Sequence, residues 1–182
     1  MSAPPEASAI YEVADTDAML ALGAEVAALL RPGDLLVLVG GLGAGKTTFT
    51  RGLGAGLGVR GAVTSPTFVL ARVHPSTTGG PALVHVDAYR LGGGAELDDL
   101  DLDAELEDSV TVVEWGEGLA EVLAADRLEV RIERAVGADA GADAGADAGA
   151  DDRGADAGTA DPRVLTLTGV GDRWSGVAWP AR

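Results

Sequence analysis

The sequence has 182 residues, the length of one ordinary domain, and 47% of them are hydrophobic, which is enough to bury a core. It contains no cysteine, so disulfide bonds, Cys-ligated metal centres and cysteine nucleophiles are excluded. Its formal net charge of −16 argues against a surface that binds RNA or DNA directly, because such surfaces need Lys and Arg at the phosphates.

The N-terminal part predicts a cytoplasmic protein whose first regular element is a helix. Met1 to Ala9 lacks the basic start and apolar run of a signal peptide, and no later segment is apolar over the length of a membrane span. We therefore expect no membrane association. After this polar lead-in, apolar residues recur at three- and four-residue steps from Asp17 to Leu30, which predicts an amphipathic helix capped by Asp15 or Thr16.

A phosphate-binding loop follows the first predicted strand. The apolar run from Asp34 to Val39 predicts a buried strand, and Gly-Gly-Leu-Gly-Ala-Gly-Lys-Thr-Thr follows it directly. This is the pattern Gly-x-x-x-x-Gly-Lys-Ser/Thr, in which glycines let backbone N–H groups surround a phosphate. The predicted nucleotide-binding residues of this segment are Gly41, Gly43, Ala44, Gly45, Lys46, Thr47 and Thr48.

The loop provides three attractive interactions for a nucleoside triphosphate. Lys46 places an ammonium group at the outer phosphates, and Thr47 offers a hydroxyl to Mg²⁺. The helix predicted from Thr47 to Leu57 adds the partial positive charge of its N-terminus. Its interior glycines weaken it by about 1 kcal/mol each relative to alanine. Either close packing on the sheet or the glycine-rich composition of the chain explains these glycines.

The rest of the chain predicts an α/β fold: a P-loop NTPase-like mixed sheet flanked by helices. Two strands form a hairpin across a Pro- and Gly-rich turn, and the last strand continues its predecessor in antiparallel fashion. The predicted strands are Phe68 to Val73, Leu83 to Asp87, Val110 to Val113, Leu128 to Ile132 and Val164 to Leu167, with helix and loop at Gly92 to Asp108 and a short helix at Leu119 to Ala124.

A low-complexity tract interrupts this pattern. From Gly137 to Gly158 the unit Gly-Ala-Asp-Ala recurs every four residues, with a few departures from the exact unit. On a helix it would stack repelling aspartates and place a glycine in every turn, and as a strand it would have no large apolar side chain to bury. We therefore expect a single P-loop domain over 1–182 with a disordered insertion at 137–160. Metal binding by the tract is a minor alternative, because flexible carboxylates form no rigid cage.

Two carboxylates are candidates for the metal and for catalysis. Asp87 and Glu114 each end an apolar strand at the expected carboxyl edge of the sheet, where ligands of such folds bind. Together with the loop they predict an Mg²⁺ ligand and a group that polarises the nucleophile. The alternative is that both are solvated residues following strands, and the sequence leaves open which carboxylate has which role.

Other polar and aromatic residues have two interpretations each. Ser65 and Thr67 lie after the loop helix, where they either sense the γ-phosphate or form a turn into the next strand. Trp115 either stacks on a base or a partner, or packs in the core. His74 and His85 are interpreted as structural rather than catalytic residues.

Four segments in this order and spacing resemble the TsaE (YjeE) family, and the resemblance covers about Asp17 to Ile132. They are Gly-Gly-Leu-Gly-Ala-Gly-Lys-Thr-Thr-Phe, Ser-Pro-Thr-Phe, His-Val-Asp-Ala-Tyr-Arg-Leu and Val-Glu-Trp. At one position the chain departs from the family, since Gly41 stands where an aspartate is usual. The insertion at 137–160 is a second departure.

The resemblance implies a small ATPase that acts with TsaB and TsaD in bacterial tRNA threonylcarbamoyladenosine formation. It implies ATP and Mg²⁺ as cofactors, with Thr47, Asp87 and Glu114 serving the metal and hydrolysis, and a switch-like Ser-Pro-Thr loop. Hydrolysis by the chain alone is expected to be weak or partner-dependent. tRNA would be reached only through the complex, and no DNA partner is expected.

Two other nucleotide-dependent functions also use a phosphate-binding loop. A small-molecule kinase is the alternative, but it needs an acceptor pocket and usually an Arg-bearing lid, and the arginines of this chain are thinly scattered. A GTPase is disfavoured more strongly, because the sequence has no asparagine and so lacks the Asn-Lys-x-Asp motif that reads guanine.

Overall fold

The fold is an α/β domain built on one mixed sheet. The computed structural model describes residues 7–66, 71–88, 107–116, 118, 124–135 and 162–181. Within these ranges the chain forms seven strands, two α-helices and a short 3₁₀ helix at Asp172–Trp174. The strands and α-helices are, in chain order, β1 (Ala7–Val13), α1 (Thr16–Ala27), β2 (Leu35–Val39), α2 (Lys46–Leu57), β3 (Ala71–His74), β4 (Ala82–Asp87), β5 (Ser109–Glu114), β6 (Arg127–Arg134) and β7 (Arg163–Val170).

The sheet has a parallel centre and antiparallel edges. Its strand order is β1-β7-β6-β2-β5-β4-β3. Strand β2 pairs in parallel with both β5 and β6, and β5 pairs in parallel with β4. Strand β3 joins β4 as an antiparallel hairpin, while β7 joins β6 and β1 joins β7, both antiparallel. The three parallel neighbours β2, β5 and β4 therefore end at the same edge of the sheet.

Both faces of the sheet are covered by apolar side chains. The larger cluster joins alternate residues of the central strands to the apolar faces of α1 and α2, with Phe49 and Leu53 fully buried in it. The smaller cluster on the opposite face contains Leu35, Val37 and Val113. Strand β2 contributes to both clusters, which explains why Leu35–Val39 is apolar without alternation.

Helices α1 and α2 pack closely through glycines. A methyl group on Gly52 would overlap the carbonyl oxygen of Leu20 and lie 3.0 Å from the Cα of Gly23. A methyl group on Gly56 would lie 2.6 Å from the Cβ of Ala27. Gly52 and Gly56 therefore serve close packing against α1, whereas a methyl group on Gly54 would meet Val63 and, at 3.6 Å, Leu83 of β4 on the sheet side.

The C-terminal segment fastens itself to the start of β2. Arg173 forms a bidentate ion pair with Asp34, with Nε to Oδ1 at 2.9 Å and Nη2 to Oδ2 at 2.7 Å. Nη2 also donates to the carbonyl oxygen of Leu29 at 2.7 Å. Trp174 is fully buried and stacks on Trp179 with ring centroids 6.1 Å apart. These contacts hold the C-terminal segment against the connection between α1 and β2.

The predicted fold class is confirmed, while several element limits differ. Helix α1 spans Thr16–Ala27 instead of Asp17 to Leu30, and its N-cap is Asp15, whose side chain accepts a hydrogen bond from the Ala18 N–H at 2.9 Å. The lead-in predicted to be irregular contains β1, which is held by pairing with β7. Both predicted antiparallel pairs, β3 with β4 and β6 with β7, are present.

Three predicted segments lie outside the described residues. They are the tract at 137–160, most of the acidic stretch from Gly92 to Asp108, and nearly all of the short helix from Leu119 to Ala124. Among the described residues, no helix has both the length and the apolarity needed to cross a membrane.

The helix contact gives a stability prediction. Gly52→Ala should destabilise the fold by about 1–3 kcal/mol, because the added methyl overlaps the α1 backbone. Helix propensity alone predicts the opposite sign, a gain of about 1 kcal/mol. Thermal and urea unfolding of the variant measure the change. Gly80→Ala is the matched control, because its added methyl group would lie 3.8 Å from the nearest neighbouring atoms. Its melting temperature and urea midpoint should equal those of the wild type or be slightly higher. Unchanged or raised stability of Gly52→Ala would contradict the packing argument.

Candidate nucleotide-binding site

The loop between β2 and α2 has the backbone shape that its glycines permit. Gly43 and Gly45 have φ angles of 71° and 108°, in the left-handed region that glycine adopts without strain. A methyl group on Gly40 would lie 2.6 Å from the carbonyl oxygen of Ile132. Gly45 is the N-cap of α2, and no side chain caps that end of the helix. The first N–H groups of α2 are therefore available to an anion.

Lys46 is held inside the loop rather than extended into solvent. Its Nζ donates to the carbonyl oxygens of Gly40 at 2.8 Å and Gly41 at 3.0 Å. The residue is only 5% exposed. Burial lowers the pKa of the Lys46 ammonium from its ordinary value of 10.5, while the negative charges of Glu114 and Asp87 oppose this shift. The ammonium is therefore placed at the loop before any phosphate arrives.

Glu114 lies at the centre of a polar cluster whose other members are Lys46, Thr47, His85 and Asp87. It ends β5 and pairs in register with Leu38 of β2 on one side and with Asp87 of β4 on the other. Its carboxylate accepts a hydrogen bond from Thr47 Oγ1, at 3.1 Å to Oε1. Glu114 and Asp87 are 3% and 6% exposed. Parallel pairing thus brings together both predicted carboxylates and the loop threonine, although 67 residues separate Thr47 from Glu114.

Trp115 covers the loop lysine. Its ring centroid lies 3.7 Å from Lys46 Nζ, which is a cation–π contact. Its φ is 61°, and among the described residues no other non-glycine residue has a positive φ. Such a backbone conformation is strained for a bulky side chain and needs support from its surroundings. Part of that support is the hydrogen bond from the Trp115 N–H to the carbonyl oxygen of Leu38 at 3.3 Å.

His85 belongs to the cluster, although the sequence placed it among structural residues. Its Nε2 lies 2.8 Å from Glu114 Oε1, and the residue is fully buried. In β4 it points to the same face as Asp87, two residues later. A histidine flanked by apolar residues two positions before a candidate carboxylate was the available sequence signal, but only the pairing of β4 with β5 shows its partner.

The switch-like segment is described in part. Ser65 is exposed, and the hydroxyl of its neighbour Thr64 accepts a hydrogen bond from Arg72 Nη1 of β3 at 2.7 Å. Thr67 lies outside the described residues. Thr48 is half-buried in the first turn of α2. The nucleotide contacts expected of Thr48, Ser65 and Thr67 remain predictions.

The donor set fits magnesium bound together with phosphate. No group of three or more His, Asp or Glu side chains among the described residues forms a metal cage on its own. Mg²⁺ in nucleotide sites needs less, because it keeps waters and takes one or two carboxylates plus phosphate oxygens. The adjacent Thr47 hydroxyl and Glu114 carboxylate would supply such oxygen ligands, and Asp87 lies next to Glu114 in register.

The sequence matches one family model and several named relatives. The model described as "Threonylcarbamoyl adenosine biosynthesis protein TsaE" matches residues 13–140. A protein of Streptomyces coelicolor named tRNA threonylcarbamoyladenosine biosynthesis protein TsaE is 60% identical over 159 residues, which cover 86% of this chain and 94% of the relative. A Bacillus subtilis protein of the same name is 42% identical over 149 residues, covering 81% and 77%.

A solved structure has the same fold. The crystal structure of Bacillus subtilis YdiB superposes with a TM-score of 0.66 at 30% sequence identity. The match covers 93% of this chain and 90% of the other. The similarity therefore extends over most of both chains.

The position of Lys46 gives a binding prediction. Lys46→Ala should bind ATP about 10- to 100-fold more weakly, because it removes a charge-assisted donor to the outer phosphates. The variant should stay folded, since Lys46 contributes no apolar side chain to either core cluster. Titration with a fluorescent ATP analogue, with circular dichroism to verify the fold, measures both. Arg127→Ala is the matched control, because it removes a cation that pairs with Glu129 on β6. Equal affinities in folded Lys46→Ala and wild type would contradict a phosphate role for the loop.

Proposed function

This chain belongs to the TsaE family of tRNA threonylcarbamoyladenosine biosynthesis proteins, and on that basis we propose that it is an Mg²⁺-dependent ATPase of this pathway that acts with TsaB and TsaD. It would bind and hydrolyse ATP without itself transferring the threonylcarbamoyl group. The observation that carries the proposal is the cluster of Lys46, Thr47 and Glu114 at the open N-terminus of α2.

Binding of ATP requires a rearrangement at Lys46. In the present structure the ammonium is satisfied by two loop carbonyls and the ring of Trp115. Phosphate oxygens would have to replace some of these contacts, and a doubly charged terminal phosphate is the stronger partner for a buried cation. Trp115 would have to move relative to the loop at the same time. The strained backbone of Trp115 is consistent with a residue that changes position.

In our proposal the two carboxylates of the polar cluster have different roles, one at the metal ion and one at the attacking water. The direct contact of Thr47 with Glu114 supports these two residues as the ones that would hold the metal ion. When bound, Mg²⁺ neutralises charge that develops on the phosphate oxygens. Asp87, one strand further from the loop, would then orient the attacking water. His85 would fix the rotamer of Glu114 by its buried hydrogen bond.

The overall charge determines how the chain could reach tRNA. With a net charge of −16 the protein has no excess of cations to neutralise RNA phosphates. An acidic ATPase must then act on a tRNA-modifying complex through protein contacts. The relatives' name assigns the family to this pathway. TsaB and TsaD are the partners that we propose for this chain.

Carboxylate variants test the catalytic part. Asp87→Asn and Glu114→Gln should each abolish hydrolysis, and at least one should retain ATP binding, because metal placement and water activation act mainly in the transition state. Single-turnover hydrolysis measured beside binding constants separates the two roles. Glu129→Gln, which removes a carboxylate on β6 that pairs with Arg127, is the control and should hydrolyse ATP normally. Near-normal hydrolysis in both site variants would remove the pair from the mechanism.

A reconstituted reaction tests the pathway part. TsaB, TsaD, tRNA and threonylcarbamoyl-adenylate are incubated with and without this protein and ATP, and modified tRNA is followed over time. The wild type should raise multiple-turnover modification, whereas Lys46→Ala and the carboxylate variants should not. Alone, the chain should not bind tRNA at physiological salt. No stimulation by wild type, or equal stimulation by Lys46→Ala, would overturn the proposal and reopen the small-molecule kinase.

A further inference from the structure

A buried arginine contacts the phosphate loop from the side of β7. Arg163 is the first residue of that strand and is 7% exposed. Its Nε donates to the carbonyl oxygen of Ala44 at 3.1 Å, and its Nη2 donates to that of Gly43 at 3.3 Å. Nη1 donates to the carbonyl oxygen of Pro162 at 3.4 Å. One planar guanidinium therefore joins two successive peptide groups of the loop.

The strand register fixes this position. Arg163 faces inward, on the same side of β7 as Leu165 and Leu167, which belong to the larger core cluster. It pairs with Val13 of β1 and with Arg134 of β6. An inward-facing position near the end of a strand would normally hold an apolar residue, because an unpaired guanidinium is costly to bury. The loop carbonyls provide the hydrogen bonds that make burial possible here.

Bonds to these two carbonyls also orient the next two N–H groups. In a trans peptide the C=O and the following N–H point in opposite directions. Holding the oxygens of Gly43 and Ala44 toward Arg163 directs the N–H groups of Ala44 and Gly45 away from it. These are loop donors of the kind that surround phosphates in such motifs. The Ala44 N–H now bonds to the carbonyl oxygen of Gly41 at 3.2 Å, inside the loop.

We propose that Arg163 is a positioning residue for nucleotide binding: it braces the phosphate loop from outside in the shape that binds phosphate. This inference rests on the proposed ATP-binding function. The bonds of Arg163 to Ala44 and Gly43 lie on the carbonyl side of the loop, so the proposed role is to position the loop and not to bind phosphate directly. Arg163 also places a positively charged guanidinium behind the loop. The last strand of the sheet thereby becomes part of the nucleotide site.

The test separates nucleotide affinity from the rate of hydrolysis. Arg163→Ala and Arg163→Lys are compared with wild type by calorimetric titration of ADP and by single-turnover hydrolysis of saturating ATP. Arg163→Ala should bind ADP about tenfold or more weakly, because two hydrogen bonds from a charged donor are lost. Arg163→Lys should be intermediate, since an ammonium keeps the charge without the planar fork. The single-turnover rate of bound ATP should change much less than the affinity. Arg127→Ala is the control and should bind ADP like the wild type.

Chemical rescue distinguishes positioning from general destabilisation. A low, non-denaturing concentration of guanidinium chloride should restore part of the ADP affinity of Arg163→Ala, whereas sodium chloride at the same ionic strength should not. Neither salt should rescue Lys46→Ala. If Arg163→Ala does not fold, the Arg163→Lys variant decides: reduced affinity at unchanged melting temperature supports the inference.

The failing outcomes are distinguishable. Wild-type ADP affinity in the folded Arg163 variants would overturn this inference alone. A wild-type chain that binds neither ADP nor ATP would overturn the proposed function, and this inference with it.

Discussion

The parallel pairing of β2, β5 and β4 is the constraint on which the site depends. It places Leu38, Glu114 and Asp87 in one row across three strands, beside the point where β2 turns into the loop. A one-residue slip of β5 would exchange Glu114 for a neighbour that faces the other side of the sheet. Val113 is buried in the smaller core cluster on that opposite face, so the slip would bury a carboxylate among apolar side chains. Burial of Val113 in the core therefore fixes the register of β5 that brings Glu114 next to Asp87 and the loop.

The loop itself has few side chains, and its shape comes from neighbours on two sides. On one side, α1 packs on α2 through Gly23 and Gly52, and a methyl group on Gly45 would lie 3.1 Å from the Met19 side chain. On the other side, Arg163 holds two of the loop carbonyls. Under the proposed function, residues outside the loop would in this way influence how well it binds a nucleotide. Helix packing and strand pairing are therefore part of the chemistry of the site.

Local patterns predicted the parts of this structure that depend on neighbouring residues in the sequence. The loop motif, the helix that follows it, the strand ending in Asp87 and the strand ending in Glu114 all have such patterns, and the fold class followed from their order. Strand β1 was missed because pairing with β7, more than 140 residues later, holds it in place. The same reason applies to the bond between His85 and Glu114 and to the bracing by Arg163. The left-handed backbone of Trp115 has no sequence signal, because surrounding contacts impose it on a residue that disfavours it.

The internal satisfaction of Lys46 has a consequence for how nucleotide and protein meet. The ammonium is already compensated by Gly40, Gly41 and the nearby carboxylates, so Lys46 itself contributes little positive potential at long range. The rest of the molecule is strongly anionic at −16. With ATP as the proposed ligand, the encounter would be an approach of two anions, whose repulsion mobile ions screen over about 10 Å at 0.1 M ionic strength. Under the proposed function, salt should therefore assist association, the reverse of its effect on proteins that attract phosphates from a distance.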